Sequence, residues 1–171
     1  MACRGWYTAL LPAEAEEILS IEDPSEVWER LDDLFPAAEA DRRILLVDKA
    51  WDAMHRVLCG GWLDLTHGDP VLQCVVIGGM QLSNESDWII SYVEPEMVSR
   101  IVEKIAGIEK SWFREKFFAL AHHPSVKRAE WYQWPLDEND FEYTWSYFTD
   151  VREFYRRAAE RGLATVFGAD Q

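Results

Sequence analysis

Lys49, Trp51 and His55 are the residues whose types and spacing come nearest to a chemical site. The stretch that carries them reads as one helix. Trp51, Met54, His55 and Leu58 fall at i, i+3, i+4 and i+7, which is a single helical face, and Ala50, Ala53 and Val57 widen it. Asp48 is placed to cap the start and Gly60 to close the end in the left-handed conformation. Lys49 then lies in the first turn, where the helix dipole disfavours a cation, and His55 lies on the apolar face. Two explanations fit. In the structural one, Lys49 pairs with an acid and His55 is a hydrogen-bonded core imidazole. In the functional one, both stand at the mouth of a small-molecule pocket whose other wall is Gly78, Gly79 and Gln81. Adjacent glycines let backbone approach closely, to a ligand or simply to neighbouring chain.

Other chemistries find less to work with. His55 and Cys59 share a helix face at i, i+4, and Cys74 lies in an apolar run, yet no C-x-x-C or H-x-x-x-H spacing assembles a metal site. Cys59 and Cys74 sit in apolar surroundings that favour inert thiols over nucleophiles. G-x-S-x-G, P-loop and G-x-G-x-x-G patterns are all missing. His122-His123-Pro124 reads as a helix end, and helix capping explains the cluster Asp137, Glu138, Asp140 and Glu142. No catalytic residue, metal ligand or cofactor is assigned.

The elements that must position these residues follow from periodicity. Trp6 to Leu10 alternates as a strand. Pro12 opens a short acidic helix to Leu19. Asp23-Pro24 opens a second, with Val27, Trp28, Leu31 and Leu34 inward, which Pro36 is expected to end. Ile44 to Val47 is a short apolar run. Val71 to Ile77 is nearly all apolar and reads as a buried central strand. Ser83 to Asp87 is a polar turn and Trp88 to Val93 a further strand. Helices are expected from Pro95 to Gly107, from Ser111 to Ala121, and from an Asp140 cap to Arg161, with Phe148, Val151, Tyr155 and Ala158 as the last one's inner stripe. Leu163 to Phe167 suits a closing strand. Strict βαβ alternation is missing, so the class is α+β: a small mixed or antiparallel sheet against several helices, in one domain over residues 1–171.

Charge is the other strong signal. The 171 residues carry a formal net charge of -14, which disfavours nucleic acid and anionic membrane as partners. From Pro12 to Asp41 there are eleven acids against one base, Arg30, while Ser99 to Arg128 holds seven bases and three acids. Hydrophobic residues make up 49% and nine are tryptophan, which suits a packed interior. No apolar run is long enough to cross a membrane and the first residues show no apolar signal segment, so a cytoplasmic location is expected. Cys3, Cys59 and Cys74 are an odd count, expected to be reduced.

Four segments resemble, in order, the YfbM-like family: Asp48-Lys49-Ala50-Trp51 with Met54-His55 and Leu58; Ile77-Gly78-Gly79; Tyr92-Val93-Glu94-Pro95-Glu96-Met97-Val98; and Phe154-Tyr155-Arg156-Arg157-Ala158-Ala159-Glu160-Arg161-Gly162. The resemblance covers most of the chain and implies a single α+β domain of bacterial origin. It carries no catalytic residues over. The acidic segment Pro12–Asp41 is not part of the shared pattern, and the loop Ser83–Asp87 is short here.

Two functions follow as expectations. One is a non-catalytic acidic module, of immunity or inhibitor type, that docks a basic protein through residues 12–41, with Glu14, Glu17, Glu26 and Asp33 in contact. The other is a small-molecule site, enzymatic or not, at Lys49, Trp51, His55, Gly78, Gly79 and Gln81. Trp131, Tyr132 and Trp134 would mark an interface if exposed.

Overall fold

The computed structural model describes residues 4–83, 88–126 and 136–170. At its centre, β1 (Gly5–Leu10) and β5 (Ala164–Asp170) pair antiparallel, with Tyr7 opposite Phe167 and Leu10 opposite Ala164. β2 (Ile44–Asp48) joins the outer side of β1, and β4 (Trp88–Val93) that of β5. The two-residue β3 (Met80–Gln81) completes the order β2-β1-β5-β4-β3. Every pairing is antiparallel. The sheet is therefore antiparallel throughout, within the α+β class that the sequence indicates.

Alternation along the strands sends side chains to two different cores. Tyr7, Ala9, Val93, Phe167 and Ala169 enter the larger one. Leu10, Ile90, Tyr92, Ala164 and Val166 enter the smaller. Both faces of the sheet are covered, so β1 and β5 read as nearly continuous apolar runs without the polar half that a solvated face would require. The smaller core is roofed by α1 (Pro12–Leu19) and α2 (Pro24–Ala40), which contribute Ala15, Ile18, Val27, Leu31 and Leu34. The larger is roofed by α3 (Ala50–Leu58), α5 (Pro95–Ala106), α6 (Lys110–Ala119) and α7 (Glu138–Glu160), packed on one another and on the sheet. No described helix is long and apolar enough to cross a membrane. Residues 131, 132 and 134 lie outside the described segments.

Several sequence expectations need correction. Val71–Ile77 is not a strand. Asp69 caps a one-turn helix, α4 (Pro70–Gln73), by accepting from the Val71 and Leu72 amides, and Pro70 presets its first turn. The apolar residues that follow are buried in turns, where their carbonyls need donors. Tyr155 Oη donates to the Cys74 and Val75 carbonyls at 3.1 and 3.0 Å, and Tyr7 Oη donates to Val75 at 2.9 Å. Burial raises the pKa of both phenols, which keeps them protonated as donors. A run of apolar residues shows burial; these two distant hydroxyls are what let this one be buried without a ladder.

Pro36 does not end α2, which runs on to Ala40 because Ala38 is fully buried beneath it and the Ala38 carbonyl accepts from Arg43 N at 2.8 Å. Asp48 does not cap α3. Its backbone takes φ 45°, Lys49 occupies the cap without a side-chain bond, and the Asp48 carboxylate instead accepts from Tyr143 Oη at 2.9 Å. Asp137, not Asp140, caps α7, with Asp140 closing a reciprocal capping box. The last strand extends past Phe167 to Asp170 and lies at the centre of the sheet.

Candidate functional site

Helix α3 buries all of its residues but Asp52. Its tryptophan is a packing wedge. Trp51 lies against Gly5, where a Cβ would come within 2.7 Å of the indole, and its ring centroid is 5.8 Å from that of Phe167. His55 is fully buried. Its Nε2 lies 3.4 Å from the Asp64 carbonyl, and its Nδ1 has no partner among the described residues. Burial pushes its pKa down to about 4, so the imidazole is neutral at physiological pH. Burial also raises the thiols that flank this region: Cys59 to about 12, with Cys74 shifted the same way. Neither is poised as a thiolate nucleophile. Among the described residues no group of His, Cys, Asp or Glu is arranged to hold a metal ion.

The remaining residues of the expected pocket lie elsewhere. Lys49 is exposed and directly follows β2, and its backbone amide donates to Tyr143 Oη at 3.3 Å. Gln81 lies in β3, at the opposite edge of the sheet, and its side chain donates to the Ile77 carbonyl at 2.9 Å. Four strand spacings separate those edges, roughly 19 Å. Gly78 and Gly79 are needed by the chain itself. A Cβ on Gly78 would fall 2.5 Å from the backbone of Gln73 and Cys74, and one on Gly79, at φ +102°, would fall 2.3 Å from the Tyr92 carbonyl. The close approach that two glycines permit is here between backbone and backbone.

The acidic segment forms the whole outer layer of the smaller core. Within it, the four carboxylates singled out from the sequence divide. Glu14 holds the buried Arg43 through two hydrogen bonds of 2.7 and 2.9 Å. Glu17 holds Arg30 likewise at 2.8 and 2.7 Å, which lowers its pKa. Asp33 reaches the same Arg30 at 4.0 Å. Glu26 alone of the four has no cation beside it among the described residues, and it shares that state with Glu16, Glu22, Glu29, Asp32 and Glu39, all exposed. The half-buried Trp28 lies among these acids, stacked on Trp88 at 4.3 Å and set edge-on to Trp6 at 5.0 Å. Trp6 in turn lies flat over Gly168, where any Cβ would overlap its ring.

Sequence reasoning missed the arginines. Arg43 is 3% exposed and donates to Ala9 O, Glu14 and Asp41, which ties α1 and the 41–43 turn to the sheet. Arg56 is also buried and links Asp52 at 2.7 Å to the Gly61 carbonyl and Ser125. Asp52 and Arg56 stand at i, i+4, a spacing that could have shown the second pair. No local spacing marks the first.

The match to a family model spans residues 1–168, under the description domain of unknown function (DUF1877). The chain belongs to that family. Among solved structures it is similar to YfbM from Escherichia coli, described as a protein of unknown function. The two share 18% identity and a TM-score of 0.63 over 97% of this chain and 99% of that one. At that identity the likeness speaks for the fold alone, and it agrees with the resemblance in the four sequence segments. No curated protein matches.

Proposed function

We propose that this DUF1877 chain is a non-catalytic binding module, of inhibitor or immunity type, that docks a basic protein surface with its α1–α2 layer. The observation that carries this reading is the set of exposed carboxylates at Glu16, Glu22, Glu26, Glu29, Asp32 and Glu39, none of them neutralised by a described cation. Unpaired like charges on one layer raise the local potential and accelerate encounter with a cationic partner. Trp28 in the same layer offers an aromatic anchor of the kind that dominates binding energy once a charged rim has brought the partner in. Glu14, Glu17 and Asp33 are assigned a different task, that of holding arginines of the molecule itself.

The alternative of a small-molecule site has less support, because Lys49 and Gln81 stand at opposite sheet edges and His55 is enclosed by core.

The test compares capture from an extract of the native host by three forms of the protein. One is wild type. The second carries Glu22→Lys, Glu26→Lys, Glu29→Lys and Asp32→Lys. The third reverses as many exposed acids on the opposite layer, at Glu94, Glu96, Glu103 and Asp150. The expected result is one basic protein retained by wild type and by the opposite-layer variant and lost from the α1–α2 variant. Equal retention by all three, or no basic protein on any, contradicts the proposal.

A further inference from the structure

The acidic surface is interrupted at one place. Between the 41–43 turn and the last turns of α7 there is a shallow cleft, open to solvent, lined by Ala9, Arg42, Arg43, Phe154, Arg157 and Arg161, with Ala158 and Leu163. Four guanidinium groups line one small cleft in a chain of net charge -14. Two of them are satisfied from within. Arg43 is held by Glu14, Asp41 and the Ala9 carbonyl, and Arg161 donates to Asp41 at 2.7 Å.

The other two are not. Arg157 Nε is buried and has no hydrogen-bond acceptor among the described residues. Its nearest carboxylate, Glu153, lies 3.8 Å away and is engaged by Arg156 through bonds of 2.8 and 2.6 Å. Arg42 has no ion-pair partner among the described residues; its φ of 55° belongs to the turn that closes α2, where Arg42 N donates to the Glu39 carbonyl and Arg43 N to that of Ala38. A helix-end role does not account for their guanidinium groups. Arg152 shows what that role looks like: its guanidinium donates to the Ala106 and Ile108 carbonyls that close α5. Among the described residues the Arg157 and Arg42 side chains make no such bonds.

We infer that this cleft is an oxyanion site that takes a phosphate group, with Arg157 and Arg42 as its donors and Arg43 and Arg161 as a fixed cationic wall. Three carboxylates, Glu14, Asp41 and Glu153, offset part of the charge and leave an excess of one positive charge, which favours an anion over a neutral ligand. The planar donor forks of two guanidiniums suit bidentate contact with tetrahedral oxygens. Phe154 and Ala9 form the apolar part of the cleft lining.

The test is titration calorimetry on the full chain at low ionic strength, with inorganic phosphate and phenyl phosphate as separate probes and sodium chloride of matched ionic strength as control. Saturable one-to-one heat with phosphate but not chloride is expected. Arg157→Gln and Arg42→Gln should each weaken it at least tenfold, with the far-ultraviolet dichroism unchanged. Tighter binding of phenyl phosphate than of the free ion would assign the site to a monoester, and the reverse order to inorganic phosphate. Wild type that gives no more heat with either probe than with chloride overturns the inference, as does undiminished binding by the exposed-site variant Arg42→Gln. Arg42 lies on the surface, so that variant keeps the test valid if Arg157→Gln fails to fold.

Discussion

The two faces of the sheet are built differently. On one side, four helices and the buried 74–77 turn interlock around a continuous core that includes Phe113, Phe117, Phe141, Phe148 and Phe154, with Phe113 and Phe148 stacked at 4.7 Å. On the other, α1 and α2 cover a smaller, mainly aliphatic core edged by Tyr92, Trp28 and Trp88, and turn outward a row of carboxylates that have no described cation beside them. The thick side holds its buried Arg56 in a closed arrangement with Asp52 and the Gly61 carbonyl. The thin side has one such arrangement, Arg43 with Glu14, beside its apolar packing on the sheet. The contrast separates a part of the molecule that supplies stability from a part free to be spent on surface charge.

Substitutions can break that contrast or sharpen it. Phe148→Ala should cost about 3–5 kcal/mol and lower hydrogen-exchange protection throughout the sheet and the four-helix layer. Leu31→Ala should instead lower protection mainly in α1 and α2. Equal loss everywhere from both would mean that the two faces open as one unit. Glu14→Gln leaves the buried Arg43 with only Asp41 as a charged partner. A loss of about 3–5 kcal/mol is expected by denaturant unfolding, and a neutral outcome would show that Glu14 is not what fastens α1.

The next effect depends on pH. His55 is neutral when folded, with a pKa near 4, whereas the unfolded chain protonates near the ordinary 6.5. The contribution of His55 to stability is therefore complete above about pH 6.5. It declines as pH falls and is lost by about pH 4, a change on the order of 3 kcal/mol. His55→Leu should flatten unfolding free energy across that window relative to wild type. The same slope in both would remove His55 as the cause. The smallest effect belongs to the surface pair: Arg30→Ala should leave the unfolding midpoint within error at physiological salt, because exposed ion pairs contribute little.

Most of the architecture was legible because it rests on local signals. The spacing from Trp51 to Leu58, the proline starts at Pro12, Pro24 and Pro95, and the alternation in Trp6–Leu10 each report the element they build. Val71–Ile77 was misread because apolar content reports burial and not backbone shape, and the donors that allow a buried turn, Tyr7 and Tyr155, are 68 and 80 residues from Val75. The site was harder for the same reason. His55 stands out in the sequence as a polar residue on an apolar face, but its surroundings depend on the 62–69 loop, which no periodicity describes. The division of the acids into paired and unpaired could not be read either. Glu14 meets Arg43 across 29 residues, and Arg157 and Arg161 meet the 41–43 turn across more than a hundred.

The most direct measurement is the association rate between this protein and the basic protein expected from the capture experiment, followed from low to physiological salt. For wild type the rate should fall steeply as salt rises. With Glu22, Glu26, Glu29 and Asp32 reversed it should be slower at low salt by tenfold or more and nearly independent of salt. Equal rates and equal salt dependence for the two proteins would contradict a docking role for the α1–α2 layer.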